Sequence, residues 1–295
     1  MGALASFSSG GVRRILLRAT FYSAAIFIGL PLAFAHVMTR AHRAASSPTP
    51  PAGWSEVWLR ADGLRLRAWV APGRRGRAAV VVAHGVGDSL ESFTDFGWSL
   101  RERGHPVVLL DMRGHGGSEG SLSTLGGHES RDVRAALDHL RGDPAGEGGT
   151  IVMGFSMGAV AALLASAGRD DVRAVVVEAP FDTYRDTVRH HAWLLYRIPR
   201  WVPIVPLSIA AAEWRAGFDA DEVDAVAAAR RLRAPLLAIV DGADDRMPEA
   251  VVRRIFDAHS GPRRLWIAPG AGHVGASAHP DYWPVVTGFF ADHGL

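Results

Sequence analysis

Thr150 to Ser166, TIVMGFSMGAVAALLAS, sets a short apolar run, Ile151 to Met153, directly before Gly154-Phe155-Ser156-Met157-Gly158, with small helix formers following without a break. Strand, tight turn and helix is the reading that fits. A G-x-S-x-G turn between a strand and a helix needs glycines two residues either side of the serine, because side chains there would strike the neighbouring backbone. Held in that turn, Ser156 projects its hydroxyl out of the sheet. With 33 glycines in 295 residues the pattern also arises by chance, and Gly116-Gly117-Ser118-Glu119-Gly120 is a second copy. That copy follows Arg113-Gly114-His115 in a polar, glycine-rich stretch with no strand entering and no helix leaving, so Ser118 reads as a loop serine and Ser156 as the candidate nucleophile.

The rest of the chain supplies a fold for that turn. Ala78 to Ala83, Val107 to Leu110, Ile151 to Met153, Ala174 to Val177, Leu236 to Val240 and Leu265 to Ala268 are continuously apolar, as expected of strands buried on both faces. Helical stretches alternate with them at Leu90 to Arg103, Glu129 to Arg141, Gly158 to Ala167, Pro248 to His259 and Tyr282 to His293. This alternation predicts an α/β fold with a mostly parallel central sheet and helices on both faces. Before it, Trp54 to Arg60 and Leu64 to Ala71 alternate apolar and polar residues around Asp62-Gly63, the pattern of a β-hairpin.

Between Ala179 and Arg233 the alternation lapses. Trp193, Tyr196, Trp201 and Trp214 cluster there with leucines and with Pro199, Pro203 and Pro206, so a small helical cap insert is expected over about residues 181–230. It either packs a small core of its own or also lines a pocket for an apolar, acyl-bearing substrate.

The N-terminus is set apart. Ala19 to Thr39 is a run of 21 residues without Asp, Glu or Arg, flanked by Arg13, Arg14 and Arg18 on one side and Arg40 and Arg43 on the other. As a helix it spans about 31 Å, close to the hydrocarbon thickness of a bilayer. It reads as a single-pass membrane anchor within an N-terminal segment 1–43, its competitors being a signal peptide cleaved after Ala33-Phe34-Ala35 and an ordinary buried helix. The three leading arginines point to a cytosolic N-terminus and an extracytoplasmic body. Ala44 to Gly53, AASSPTPPAG, is an extended linker, which leaves 54–295 as the catalytic domain.

Absences narrow the chemistry. The sequence holds no cysteine, which excludes thiol nucleophiles, disulfides and zinc-thiolate sites, and every basic side chain other than histidine is arginine, which excludes a Schiff-base lysine, a P-loop lysine and a Ser-Lys dyad. Beyond residue 50 the body has 27 basic against 30 acidic residues, a balance that argues against nucleic acid as a partner. No cofactor is expected. His84, Asp111, His115 and His128 lack the spacing of a metal site.

A serine hydroxyl needs a base, an acid that orients the base, and donors for the oxyanion. His273 lies in Pro269-Gly270-Ala271-Gly272-His273, just past the last strand, while Asp241, Asp244 and Asp245 follow the strand before it. Together with His84-Gly85-Val86-Gly87 and Asp111-Met112-Arg113-Gly114-His115-Gly116, these segments resemble the α/β-hydrolase superfamily, in its serine esterase and serine aminopeptidase-like branch. The resemblance covers about residues 54 to 293. It implies the chain order Ser156, Asp244, His273, with Asp244 nine residues after Pro235 and four before Pro248. Gly242 stands one place later than in the family pattern, which keeps Asp245 open as the acid. The backbone N–H groups of Val86 and Met157 are the implied oxyanion donors.

The implied activity is a serine hydrolase cleaving a carboxylic ester of a small, apolar substrate through an acyl-enzyme. Peptide or thioester cleavage and acyl transfer to an alcohol use the same machinery, and a non-catalytic binding protein on this fold is the alternative of a different class.

Overall fold

A computed structural model of the protein describes residues 9–41, 43 and 49–295; residues 1–8 and 42 of the expected N-terminal segment and 44–48 of the expected linker lie outside the described residues. The alternation seen in the sequence becomes one eight-stranded sheet in the order β1-β2-β4-β3-β5-β6-β7-β8. The strands are β1 (Ser55–Ala61), β2 (Leu64–Ala71), β3 (Ala79–Ala83), β4 (Val107–Leu110), β5 (Thr150–Phe155), β6 (Val172–Glu178), β7 (Leu236–Asp241) and β8 (Arg263–Ala268). Only β2 runs against its neighbours, pairing antiparallel with β1 and β4, and everything from β4 to β8 is parallel. Asp62 and Gly63 close the β1–β2 hairpin with φ of 51° and 80°, the left-handed conformation a two-residue hairpin turn requires.

The parallel strands are apolar throughout because both faces are covered. On β3, Ala79, Val81 and Ala83 enter one core and Val80 and Val82 the other. The first core is roofed by α4 (Glu129–Arg141), α5 (Met157–Ser166), α8 (Ala225–Arg231) and α9 (Glu249–Ala258); the second by α3 (Thr94–Glu102) and α10 (Tyr282–Asp292). Each fully buried Val or Leu contributes about 1.5–3 kcal/mol. Helix α5 is buried at all ten positions, and its Gly and Ala residues let it lie close against the sheet. The helix expected from Leu90 begins instead as a 3₁₀ turn, Leu90–Phe93, and only then becomes α3. Leu90 N–H is drawn to Asp111 Oδ1 at 2.8 Å, which shapes that entry.

Two helices of the expected insert, α6 (Tyr184–Tyr196) and α7 (Ile204–Ala216), stand off the sheet over the C-terminal ends of β5 and β7, whereas α8 packs on α5 and α9. The N-terminal helix extends beyond the expected apolar run, back through its flanking arginines. Helix α1 (Ser9–Ala24) passes through a π turn, Ala25–Gly29, into α2 (Leu30–Thr39), and Gly11–Thr39 is long and apolar enough to cross a membrane. The π turn falls just before Pro31, which has no N–H to give to the preceding turn. Side chains 12–30 are exposed, but Pro31, Ala35 and Thr39, four residues apart, are buried along one stripe against α7.

Candidate active site

Ser156 sits between β5 and α5 with φ 52° and ψ −116°, a backbone conformation costing a non-glycine residue about 1–3 kcal/mol. Its N–H donates to Glu178 O at 2.9 Å and its C=O accepts the first helical bonds, so the strained turn is held from both sides. Both flanking glycines are required by contact. A Cβ on Gly154 would stand 2.3 Å from Gly158 O, and one on Gly158 would stand 2.2 Å from Ala83 O. The second G-x-S-x-G serves structure: buried Ser118 accepts from Arg67 N at 2.8 Å and donates to Asp111 O at 2.6 Å, clamping β2 to the loop after β4.

The loops after β7 and β8 bring Asp244 and His273 to this serine. Ser156 Oγ lies 3.0 Å from His273 Nε2, and His273 Nδ1 lies 2.6 Å from Asp244 Oδ2. The other oxygen, Asp244 Oδ1, accepts from the N–H groups of Arg246 (2.8 Å) and Met247 (3.1 Å). Burial alone would raise the Asp244 carboxyl, but the hydrogen bond and charge of His273 and these two amides outweigh it and hold it below the usual carboxylate range. Asp245 is exposed and contributes its backbone oxygen to His190 Nε2, 2.8 Å away. Of the three aspartates weighed after β7, Asp244 is the one that reaches His273.

Asp241 has another task, shared with Glu178 at the end of β6, a residue that sequence reasoning passed over although an acid closing the run VRAVVVE was a visible signal. Val274 N–H donates to Asp241 Oδ2 (2.7 Å), and Ala276 N–H is shared between Asp241 Oδ1 (2.9 Å) and Glu178 Oε1 (3.0 Å). The two acids thus pin the loop that carries His273. Glu178 Oε2 is buried without a hydrogen-bond partner. Burial first, and then the Asp241 carboxylate, pushes the Glu178 carboxyl well above the usual range. The unfolded chain gives up the carboxyl proton near pH 4.3, so wild type loses stability as pH rises toward the raised folded value. Relative to wild type, Glu178→Gln therefore gains up to about 1.4 kcal/mol per pH unit from pH ~4.5 upward, until the raised folded value is passed, in urea unfolding titrations. A difference that stays flat between pH 5 and 8 would mean Glu178 is ionised in the fold.

On the opposite side of Ser156 runs the loop after β3. A Cβ on Gly85 would be 3.5 Å from Ser156 Cβ, which places the His84–Val86 backbone beside the nucleophile. Met157 is the first residue of α5, where N–H groups have no acceptor within the helix. His84 shapes the loop: Nδ1–H donates to Gly85 O (2.7 Å), and Nε2 accepts from Met112 N (3.2 Å). Burial, with His115 beside it, lowers its pKa to about 4 and keeps it neutral, with neither ring nitrogen left for a metal.

A cavity of about 580 Å³ opens above these groups, within the ~300–1,000 Å³ typical of small-molecule sites. Ser156, Met157, Val86 and His273 form its floor, Val188, Leu195, Ile204 and Val205 of the cap its walls, and among the described residues Asp88 and Arg246 are the lining Asp, Glu or Arg side chains. Of the cap aromatics picked out in the sequence, Tyr196 reaches the cavity, while Trp193, Trp201 and Trp214 face outward. Phe34, Val37 and Met38 of α2 also line it. Nothing in the sequence marks that contribution, which depends on how the N-terminal helix leans on α7.

Comparison with known proteins agrees with this architecture. Residues 74–222 match the family described as serine aminopeptidase, S33; that stretch holds Ser156 and the loop after β3 and ends before Asp244 and His273. The chain is 28% identical over 204 residues to uncharacterized protein YqkD of Bacillus subtilis (strain 168), covering 66% of this chain and 64% of that one, just under two thirds of its length. It is also 28% identical over 232 residues to uncharacterized protein Rv2307c of Mycobacterium tuberculosis (strain ATCC 25618 / H37Rv), covering 78% of this chain and 75% of the relative. Among solved structures, the esterase Pf2001 of Pyrococcus furiosus superposes with a TM-score of 0.70 at 21% identity, over 87% of this chain and 98% of the esterase. An acetyl xylan esterase from Paenibacillus sp. R4 superposes with a TM-score of 0.63 at 17% identity, over 91% and 94% of the two chains. Its sheet order and the family match together identify the chain as an α/β hydrolase belonging to the serine aminopeptidase S33 family.

Proposed function

We propose that this hydrolase is a membrane-anchored serine esterase in which Ser156, His273 and Asp244 act as a catalytic triad. The observation that carries the reading is the unbroken chain of short contacts from Ser156 Oγ through His273 to Asp244 on the floor of the cavity. Ser156 Oγ attacks the acyl carbon as its proton passes to His273 Nε2, and Asp244 holds Nδ1–H and stabilises the imidazolium. The carbonyl oxygen becomes an oxyanion received by the N–H groups of Val86 and Met157. His273 then returns the proton to the leaving alcohol, and water repeats the sequence on the acyl-enzyme. An ester is favoured over a peptide because the lining is mainly aliphatic and aromatic.

Anchoring is favoured over a cleaved leader because the C-terminal end of the apolar helix is built into the catalytic body. Thr39 Oγ1 accepts from Arg215 Nε (3.0 Å), and Thr39 O and Ala41 N bond to Ser123 N and Ser121 O (both 3.0 Å). Ala35, the last residue of the cleavage-like triplet, is fully buried.

A fluorophosphonate tests the catalytic reading. Treated with the purified full chain and mapped by peptide mass, it is expected to mark Ser156 in wild type and to leave His273→Ala unlabelled. An adduct on Ser118, or none, removes the triad and favours a binding protein; acyl transfer to an added alcohol outpacing hydrolysis would instead make it an acyltransferase.

A further inference from the structure

The α2 helix carries two faces with different work. Pro31, Ala35 and Thr39 dock it on α7, and Phe34 adds an edge-to-face contact with Tyr196 of α6, ring centroids 5.4 Å apart. Phe34, Val37 and Met38, spaced i, i+3, i+4 and therefore on a common side, line the same cavity as Ser156. A simple tether needs only the first face.

The mouth of the cavity is apolar as well. Val37, Leu195 and Tyr196 line it and are 49%, 63% and 58% exposed. The cap also turns Trp193, Trp201 and Trp214 outward, the last two more than 80% exposed. So large an apolar surface around an opening marks contact with something other than water. Its position says with what. Gly11–Thr39 is 29 residues, about 43 Å of helix, whereas a bilayer core takes about 20 residues. With Arg13, Arg14 and Arg18 at one interface and the arginine-free exposed stretch 19–30 running through the hydrocarbon, residues 31–39 and the cap beside them lie toward the opposite interface, where Trp and Tyr concentrate.

We infer that α2 is a wall of the substrate site, and that the substrate is a long-chain acyl ester resident in the membrane the helix crosses. It enters through the mouth between α2 and α6, its acyl chain lying along Phe34, Val37 and Met38 with the ester at Ser156. This rests on the esterase reading. It adds the substrate class and a binding role for the anchor.

The test uses the full chain in phosphatidylcholine vesicles and a long-chain fluorophosphonate bearing a diazirine near the chain end. Irradiation of the Ser156 adduct is expected to cross-link the chain to the tryptic peptide spanning residues 19–40. A Ser156 adduct whose cross-links fall only on α7 or on the loop around Met247 overturns the path proposed here and leaves the esterase intact. Absence of any Ser156 adduct removes both. Independently, Val37→Trp narrows the mouth, so the ratio of kcat/KM for a vesicle-embedded palmitoyl ester to that for a soluble butyryl ester falls by about tenfold or more, the scale on which a hydrophobic pocket discriminates. Ile28→Trp, on the exposed part of the apolar run, keeps the wild-type ratio. An unchanged ratio in Val37→Trp, with Ser156 still labelled, overturns the inference.

Discussion

Ser156→Ala is expected to lower kcat for an activated ester by about 10⁴- to 10⁶-fold, with His273→Ala similar and Asp244→Asn lower by about 10³- to 10⁴-fold. The three act as a unit, so the double variant Ser156→Ala/His273→Ala is no slower than either single one. The Asp244 variant is informative because its second oxygen is already held by the Arg246 and Met247 amides. An asparagine keeps the shape of the loop but presents no negative charge to the imidazolium and favours the wrong tautomer. Asp245→Asn is the internal comparison: its carboxylate is exposed and away from His273, so kcat stays within about twofold, as for surface substitutions generally. Steady-state kinetics on the purified proteins, with circular dichroism to certify folding, decides it. Equal losses for Asp244→Asn and Asp245→Asn, or more than a tenth of wild-type activity in Ser156→Ala, would count against the triad.

Acid should not silence this enzyme through Asp244. Its carboxyl is held below the ordinary range, so the stability it lends is present above the unfolded value near pH 3.9 and is lost only as pH falls through the lower folded value.

How much of this was legible in the sequence depended on the range of the signal. The buried strands were readable because a strand covered on both faces leaves no polar alternation; β5 and β7 are buried at every position. Asp244 was singled out through the family resemblance, by its count from Pro235 and Pro248, with Asp245 left open. Glu178 was overlooked because its partner, Asp241, is distant in the chain and only the parallel pairing of β6 with β7 brings them together. The tryptophans of the insert announced an apolar surface without saying which way it faces. The lining role of Phe34, Val37 and Met38 was invisible for a related reason: lipid, protein core and substrate all select the same apolar residues. Only Pro31, Ala35 and Thr39, smaller or more polar than their neighbours, hint that one side of that helix meets protein.

Gly158→Ala is expected to cost more than about 4 kcal/mol and to lower the melting temperature by about 10 °C or more, if the protein accumulates folded at all. The new methyl would stand 2.2 Å from Ala83 O and 2.5 Å from His84 O, both main-chain atoms at the end of β3. β3 is central, hydrogen-bonded to β4 and β5, so it cannot step aside, and α5 cannot lift without opening the core that all ten of its residues enter. Moving either would also carry the His84–Val86 backbone away from Ser156, so activity should fall even in molecules that remain folded. Gly87→Ala separates crowding from conformational strain. Gly87 has φ of +79° but nothing within 4 Å of a Cβ, so its substitution is expected to cost only about 1–2 kcal/mol, the price of a left-handed backbone. Thermal melts of the two variants beside wild type decide between a turn that merely tolerates glycine and one in which α5 and β3 touch through it. A Gly158→Ala protein melting within a few degrees of wild type would show that the close approach of α5 to β3 is not needed to hold Ser156 in its strained turn.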